Sequence, residues 1–166
     1  MPATPAETSV VEHRIRIAAH PETVFSYFTD PTKIVHWMGT EATLDPRPGG
    51  ACRIRLNEAS VVLGEYVEVE PYRRIVFTWG YEQQWFSMPP QSTLVEVSLT
   101  PEGAETLVVL SHRRLPGDLA AAGTRAGWSH YLPRLVVAAA GGDPRLDPWQ
   151  DIDVVVQAVR DVAESS

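Results

Sequence analysis

The feature that most limits the fold of this chain is a change in hydrophobic period near residue 112. Before that point, apolar residues recur at every second position over short stretches, beginning at 11–17, as in strands with one buried face. After it, apolar residues recur every three or four positions, which predicts one long amphipathic helix. Its apolar stripe is Trp128, Tyr131, Leu132, Leu135, Val136 and Ala139. The strands must therefore pack against a single late helix.

Seven strand segments are predicted, separated by turn-forming residues. They are 11–17, 40–44, 51–56, 61–69, 73–80, 93–99 and 105–112. Most of the breaks are short and rich in Pro and Gly, such as Asp45-Pro46-Arg47-Pro48-Gly49-Gly50, as turns usually are. Short connections favour an antiparallel meander, because parallel neighbours need a crossover of about a dozen residues or more.

Helical segments complete the predicted order of elements. Two short helices, 21–28 and 31–37, follow the first strand, and the long helix runs from Asp118 as a capping residue to Gly141-Gly142. We predict one domain over residues 9–141.

A C-terminal extension, residues 142–166, follows that domain. In it, Asp147-Pro148 predicts the start of a second amphipathic helix, with Gln150 completing a capping box. We expect this helix to pack on the same domain.

Composition narrows the possible partners and compartments. The formal net charge of -7 argues against nucleic acid and anionic lipid as partners, since both attract clustered positive charge. The single cysteine, Cys52, cannot form an intramolecular disulfide or a thiolate metal cluster. Without an apolar leader or a membrane-length apolar run, we expect a cytoplasmic protein, as a monomer or homodimer, with no membrane insertion.

Several local patterns resemble one known family. They are Ala19-His20-Pro21-Glu22-Thr23-Val24-Phe25, Pro31 with Trp37, Pro48-Gly49-Gly50, 64–71, Arg74-Ile75-Val76-Phe77-Thr78-Trp79, 106–112, and Gly127-Trp128 with Leu132 and Leu135. In this order they resemble the START-like (SRPBCC) superfamily, in the branch named after the activator of the heat-shock-protein-90 ATPase. The resemblance implies an α+β helix-grip fold, a curved antiparallel sheet of about seven strands around the long C-terminal helix. It also implies a cavity between sheet and helix, whose ligands or reactions differ among members.

Strand alternation gives the residues expected to face that cavity. Most are hydrocarbon, which favours an apolar ligand oriented by a few polar groups. Together with the large rings, the predicted ligand-binding residues are Trp37, Glu65, Phe77, Trp79, Val97, Leu110, His112, Trp128 and Leu132.

Three polar residues in phase with apolar neighbours are the candidates for acid–base chemistry: Glu65, His13 and His112. The alternative for Glu65 is a structural ion pair with Arg53 or Arg55, or with His13, since buried charges need partners. None of the five histidines has metal-ligand spacing, and no serine-nucleophile motif is present. We therefore expect no metal and no cofactor.

Three functions fit these residues. The first is noncatalytic binding of a small hydrophobic or aromatic molecule, because no catalytic constellation has the required spacing. The second is a polyketide cyclase-like or hydrolase-like enzyme, in which a pocket glutamate or histidine acts as acid or base. The third, which only the family's name suggests, is a chaperone-regulating or other protein-interaction module.

Overall fold

Seven antiparallel strands form one sheet in the computed structural model, which describes residues 9–165. The strand order is β1-β7-β6-β5-β4-β3-β2. The strands are β1 Ser9–Ile17, β2 Glu41–Leu44, β3 Ala51–Asn57, β4 Ser60–Glu70, β5 Arg74–Trp79, β6 Thr93–Glu102 and β7 Glu105–Leu115. The helices are α1 Pro21–Thr29, α2 Pro31–Ile34, α3 Asp118–Ala139 and α4 Ile152–Glu164. This arrangement confirms the predicted α+β helix-grip architecture and its antiparallel meander.

The core lies between the sheet and α3. Trp128, Leu132 and Leu135 of α3 are buried in one hydrophobic cluster with Phe77 and Trp79 of β5. The predicted inward faces of β6 and β7 are buried as well. Strict alternation therefore identified the core side of these strands correctly, because each of them pairs along its length with neighbours on both sides.

Strand β4 differs from its predicted phase, in which alternation turns Leu63, Glu65 and Val67 inward. Val62 and Tyr66 belong to the core cluster, whereas Val67 is 49% exposed. Residues 61–63 are all apolar and set no phase, and the pairing with β5 shifts between Tyr66 and Glu68, as at a β-bulge. The predicted inward position of Glu65 is therefore wrong.

Gly64 explains how closely β4 approaches β5. A Cβ at this position would lie 1.8 Å from the backbone oxygen of Thr78, which no side chain can tolerate. Only glycine permits this approach of two backbones.

The ends of α3 follow backbone geometry more than side-chain capping. Gly117 is the N-cap residue and makes no side-chain cap, so the predicted capping by Asp118 is wrong. The helix continues through Pro133 and ends before Gly141, whose φ of +93° suits a residue without a Cβ.

The extension forms two helical segments. Asp147 caps a single 3-10 turn, Pro148–Gln150, and the Asp151 side chain then accepts a hydrogen bond from the Asp153 N–H to begin α4. The predicted capping box is wrong, because the amide of Gln150 donates instead to the backbone oxygen of Leu56 at 2.7 Å. Within residues 9–165, none of the helices is both long and apolar enough to cross a membrane.

Candidate ligand-binding site

A cavity of about 300 Å³ lies beside the N-terminal half of α3. The sheet side comprises Leu56, Asn57, Ser60, Trp79, Tyr81 and His112. The α3 side comprises Leu119, Gly123, Thr124, Gly127, Trp128 and Tyr131. Trp85 and Phe86 from the loop after β5, with Trp149, Ile152, Val155, Val156, Val159 and Arg160 from the extension, complete the lining. The volume is at the lower end of the range of about 300–1,000 Å³ common for ligand sites.

The sequence of α3 explains why the space exists at this end of the helix. Residues 120–127 are small except Arg125, so this half of α3 leaves volume above the sheet. The other half carries Leu132 and Leu135, which fill the core. A Cβ added at Gly127 would meet nothing within 4 Å. Gly127 thus borders open space and does not mediate a close approach of helix and sheet.

The extension covers one side of the cavity and is anchored on α3. The Trp149 ring stacks on His130 with centroids 4.2 Å apart and planes 3° apart. His130 Nε2 lies 2.6 Å from Asp147 Oδ1, which also accepts the Trp149 N–H at 2.8 Å. Burial alone would raise the pKa of Asp147, but these hydrogen bonds hold it below its usual range.

The loop after β5 closes another side. Trp85 donates from Nε1 to the Ala59 backbone oxygen at 2.9 Å, although the residue is 43% exposed. Phe86 has a φ of +58°, a conformation that is uncommon for a bulky residue. Its ring fills the notch at Gly123, where an added Cβ would lie 2.8 Å from the Phe86 Cζ atom.

A hydrogen-bonded chain fixes His112 in the cavity floor. Trp128 Nε1 donates to His112 Nδ1 at 3.0 Å, so Nδ1 is an acceptor and the proton sits on Nε2. Nε2 then donates to Thr93 Oγ1 at 2.7 Å, and Thr93 Oγ1 donates to the Trp79 backbone oxygen at 2.6 Å. Burial lowers the pKa of His112 to about 3. The imidazole is therefore neutral at physiological pH, and both of its nitrogens are occupied.

Two tyrosines, Tyr81 and Tyr131, line the cavity without adding charge. Burial raises the pKa of both Tyr81 and Tyr131, so both phenols remain protonated. Asn57 leaves little hydrogen-bonding capacity for a ligand, because its amide nitrogen already donates to the Trp149 backbone oxygen and its amide oxygen accepts the Ala59 N–H.

Three of the nine predicted ligand-binding residues line this cavity: Trp79, His112 and Trp128. Their rings form one group, with Trp79 and Trp128 centroids 5.2 Å apart and the Trp79 and His112 centroids 5.9 Å apart. These distances are typical of favourable aromatic contacts.

The other apolar candidates lie in the solid core. They are Trp37, Phe77, Val97, Leu110 and Leu132. Trp37 packs edge-on against Phe28 and donates from Nε1 to the Tyr27 backbone oxygen at 3.0 Å. The prediction that these five face a ligand is not supported by their positions, because the side chains of α1, α2 and the second half of α3 fill that region.

Glu65 and His13 also lie outside the cavity lining. Glu65 is partly buried, and no ion pair joins it to Arg53, Arg55 or His13 among the described residues. The predicted structural pair is thus wrong, since β4 turns this side chain away from the core. His13 is partly buried opposite Leu110, and burial lowers its pKa.

The sequence offers two places for the aromatic residues of segment 83–90, the cavity mouth or the underside of residues 142–166. Neither segment is among the predicted ligand-binding residues, and the structure places Trp85, Phe86 and Trp149 in the cavity lining. An available signal was the run of small residues in α3, opposite two aromatics at 85–86 and the apolar stripe of α4.

For metals, the described residues contain no group of three His, Cys, Asp or Glu placed to hold an ion. Cys52 is buried, which raises the pKa of its thiol to about 12.

The curved sheet, the long helix and the cavity between them define a START-like helix-grip domain. Residues 18–140 match the family described as Activator of Hsp90 ATPase homolog 1-like protein. The chain belongs to this family. Among curated proteins, none matches it.

Solved structures show the same fold. An AHSA1-like protein from Rhizobium etli is 42% identical, covering 86% of this chain and 89% of its own, with a TM-score of 0.69. CalU16 from Micromonospora echinospora, in its solution structure, is 26% identical. The match covers 97% of this chain and 86% of CalU16, with a TM-score of 0.73. A conserved protein of unknown function from Enterococcus faecalis is 19% identical, which shows the fold alone. That match covers 96% of this chain and 85% of the Enterococcus protein, with a TM-score of 0.71. The 97% share exceeds what residues 9–141 supply, so the likeness to CalU16 reaches into the extension.

Proposed function

We propose that this protein binds a small hydrophobic or aromatic molecule, without transforming it, in the cavity between the sheet, α3 and α4. The observation that carries the proposal is the lining itself, in which seven aromatic residues surround about 300 Å³ of space. They are Trp79, Tyr81, Trp85, Phe86, Trp128, Tyr131 and Trp149. Burying apolar ligand surface there contributes about 25 cal/mol per Å².

The state of His112 supports binding over acid–base catalysis. A general base needs a free lone pair within reach of the substrate, and the Nδ1 lone pair of His112 accepts the Trp128 indole N–H. None of the described lining residues is a glutamate or aspartate. A cyclase-like or hydrolase-like reaction by the predicted Glu65 would need that side chain in the cavity, where it does not lie.

The test is titration with N-phenyl-1-naphthylamine, a neutral probe of two linked ring systems whose emission rises in apolar surroundings. We expect saturable binding at micromolar concentration, accompanied by quenching of tryptophan emission.

A variant that fills the cavity makes the test specific. Gly127→Leu places a side chain where a Cβ meets nothing within 4 Å, and it should weaken probe binding at least about tenfold. Val137→Leu, at a 40% exposed position of the same helix, is the control and should bind like the original protein. Equal affinity in all three proteins, each shown to be folded by circular dichroism, would overturn the proposal.

A further inference from the structure

The cavity lining includes a single charged residue. Within the described part of the chain, Arg160 of α4 is the one charged residue in the lining, and no carboxylate accompanies it. His112 is neutral, and both tyrosines that line the cavity are protonated. Among the described lining residues, a charged ligand group can therefore find an opposite charge only at Arg160.

Arg160 lacks a protein partner, although the chain carries an excess of acidic residues. No hydrogen bond or ion pair joins its guanidinium to another residue within 9–165, whereas the side chains of Arg16 and Arg74 pair with glutamates. The neighbouring Asp161 carboxylate instead accepts a hydrogen bond from Gln157 at 2.9 Å. A guanidinium presents a planar set of donors that suits a carboxylate or sulfonate, and this one is unoccupied by the protein.

We propose that the ligand is a planar aromatic acid, an inference that rests on the proposed function and specifies its ligand class. Its rings lie among Trp79, Trp128 and Trp149, and its acid group pairs with Arg160 on the exposed side of α4. A ligand carrying an ammonium group would find no carboxylate in the described lining. A neutral ligand would leave Arg160 without a role in recognition.

The plainer alternative is that Arg160 only covers apolar surface. Long basic side chains often lay their methylenes on apolar groups and keep the charged end in water. In that case its removal would weaken all apolar ligands alike, whatever their charge. The two explanations therefore predict different responses from a matched pair of probes.

The experiment compares N-phenyl-1-naphthylamine with 8-anilinonaphthalene-1-sulfonate, which has the same skeleton and an added sulfonate. Arg160→Gln should weaken binding of the sulfonate about two- to fivefold, the range for an exposed ion pair, and change binding of the neutral probe less than that. Arg160→Lys should keep most of the sulfonate affinity. Raising the salt concentration should reduce the sulfonate preference of the original protein more than that of Arg160→Gln.

Arg47→Gln is the control, because it removes the same charge from the exposed turn before β3, where Arg47 pairs with Asp45. It should leave both affinities unchanged. Unchanged sulfonate binding in Arg160→Gln, or equal losses for both probes, would overturn the aromatic-acid inference while leaving the proposed function intact. Failure of both probes to bind the original protein would instead refute the proposed function, and this inference with it.

Discussion

At the scale of single residues, His112 shows how a polar group in an apolar site is made structural. Its Nδ1 accepts the Trp128 indole N–H, its Nε2 donates to the Thr93 hydroxyl, and that hydroxyl donates to the Trp79 backbone oxygen. The chain ties β5, β6 and β7 to α3 at the cavity floor. A buried network of this kind stabilises the fold only when each of its polar atoms has a hydrogen-bond partner. Protonation of Nδ1 would break the network, because a protonated Nδ1 could no longer accept the Trp128 N–H.

This network predicts a pH dependence of stability. In the unfolded chain His112 has a pKa near 6.5, whereas burial lowers the folded value to about 3. Between these values the unfolded chain binds more protons, so the free energy of unfolding is fully retained above pH 6.5 and declines as the pH falls. One such group lowers the free energy of unfolding by up to about 1.4 kcal/mol for each unit by which the pH falls within this range.

The measurement is urea denaturation of the original protein and of His112→Gln between pH 6 and pH 4.5. The variant should be less stable at neutral pH by about 1–3 kcal/mol, since Trp128 and Thr93 lose their partner, and its stability should fall less steeply with acid. His13, whose pKa is also lowered by burial, is present in both proteins and does not affect the difference. Parallel pH profiles would contradict the assignment.

At the scale of elements, α3 combines a half that leaves space with a half that fills it. Gly123 and Gly127 lie one turn apart and both line the cavity, yet their surroundings differ. Gly123 faces the Phe86 ring, and Gly127 faces open space. Two chemically identical substitutions therefore test how the cavity wall is built.

Gly127→Ala should stabilise the protein by about 0.5–1 kcal/mol, because alanine is the better helix former and its methyl group meets no neighbour. Gly123→Ala gains the same helix propensity but must displace the Phe86 ring, so its net stability should be lower than that of Gly127→Ala. Urea denaturation of both variants measures the difference. An equal gain in both would show that Phe86 does not pack in the notch at Gly123.

The elements also show where sequence reasoning succeeds. The inward faces of β5, β6 and β7 followed from alternation alone, because those strands are regular and flanked on both sides. Strand β4 did not, since three consecutive apolar residues and a shift of register hide its phase. The wrong phase placed Glu65 in the cavity. It could not have been corrected from β4 alone, because the position of a bulge depends on the pairing with the neighbouring strand.

At the scale of the whole molecule, the cavity depends on parts far apart in the chain. The sheet side comes from β3, β4, β5, β7 and Tyr81, the opposite wall from α3, and the cover from residues 85–86 and the extension. The fold was predictable because hydrophobic period and turn spacing are local signals. The position of the cover was not predictable from local signals. Contacts such as Gln150 with Leu56 and Asn57 with Trp149 join segments more than ninety residues apart in the chain.

The proposed ligand, a small aromatic molecule, would occupy the space between the sheet, α3 and α4. The most direct measurement is an isotope-filtered NOE spectrum of the labelled protein in complex with N-phenyl-1-naphthylamine. We predict cross-peaks from the probe to the methyl groups of Val155 and Val159 and to the Trp128 indole. Cross-peaks confined to exposed apolar residues outside the cavity, such as Leu146 and Val10, would contradict the claim.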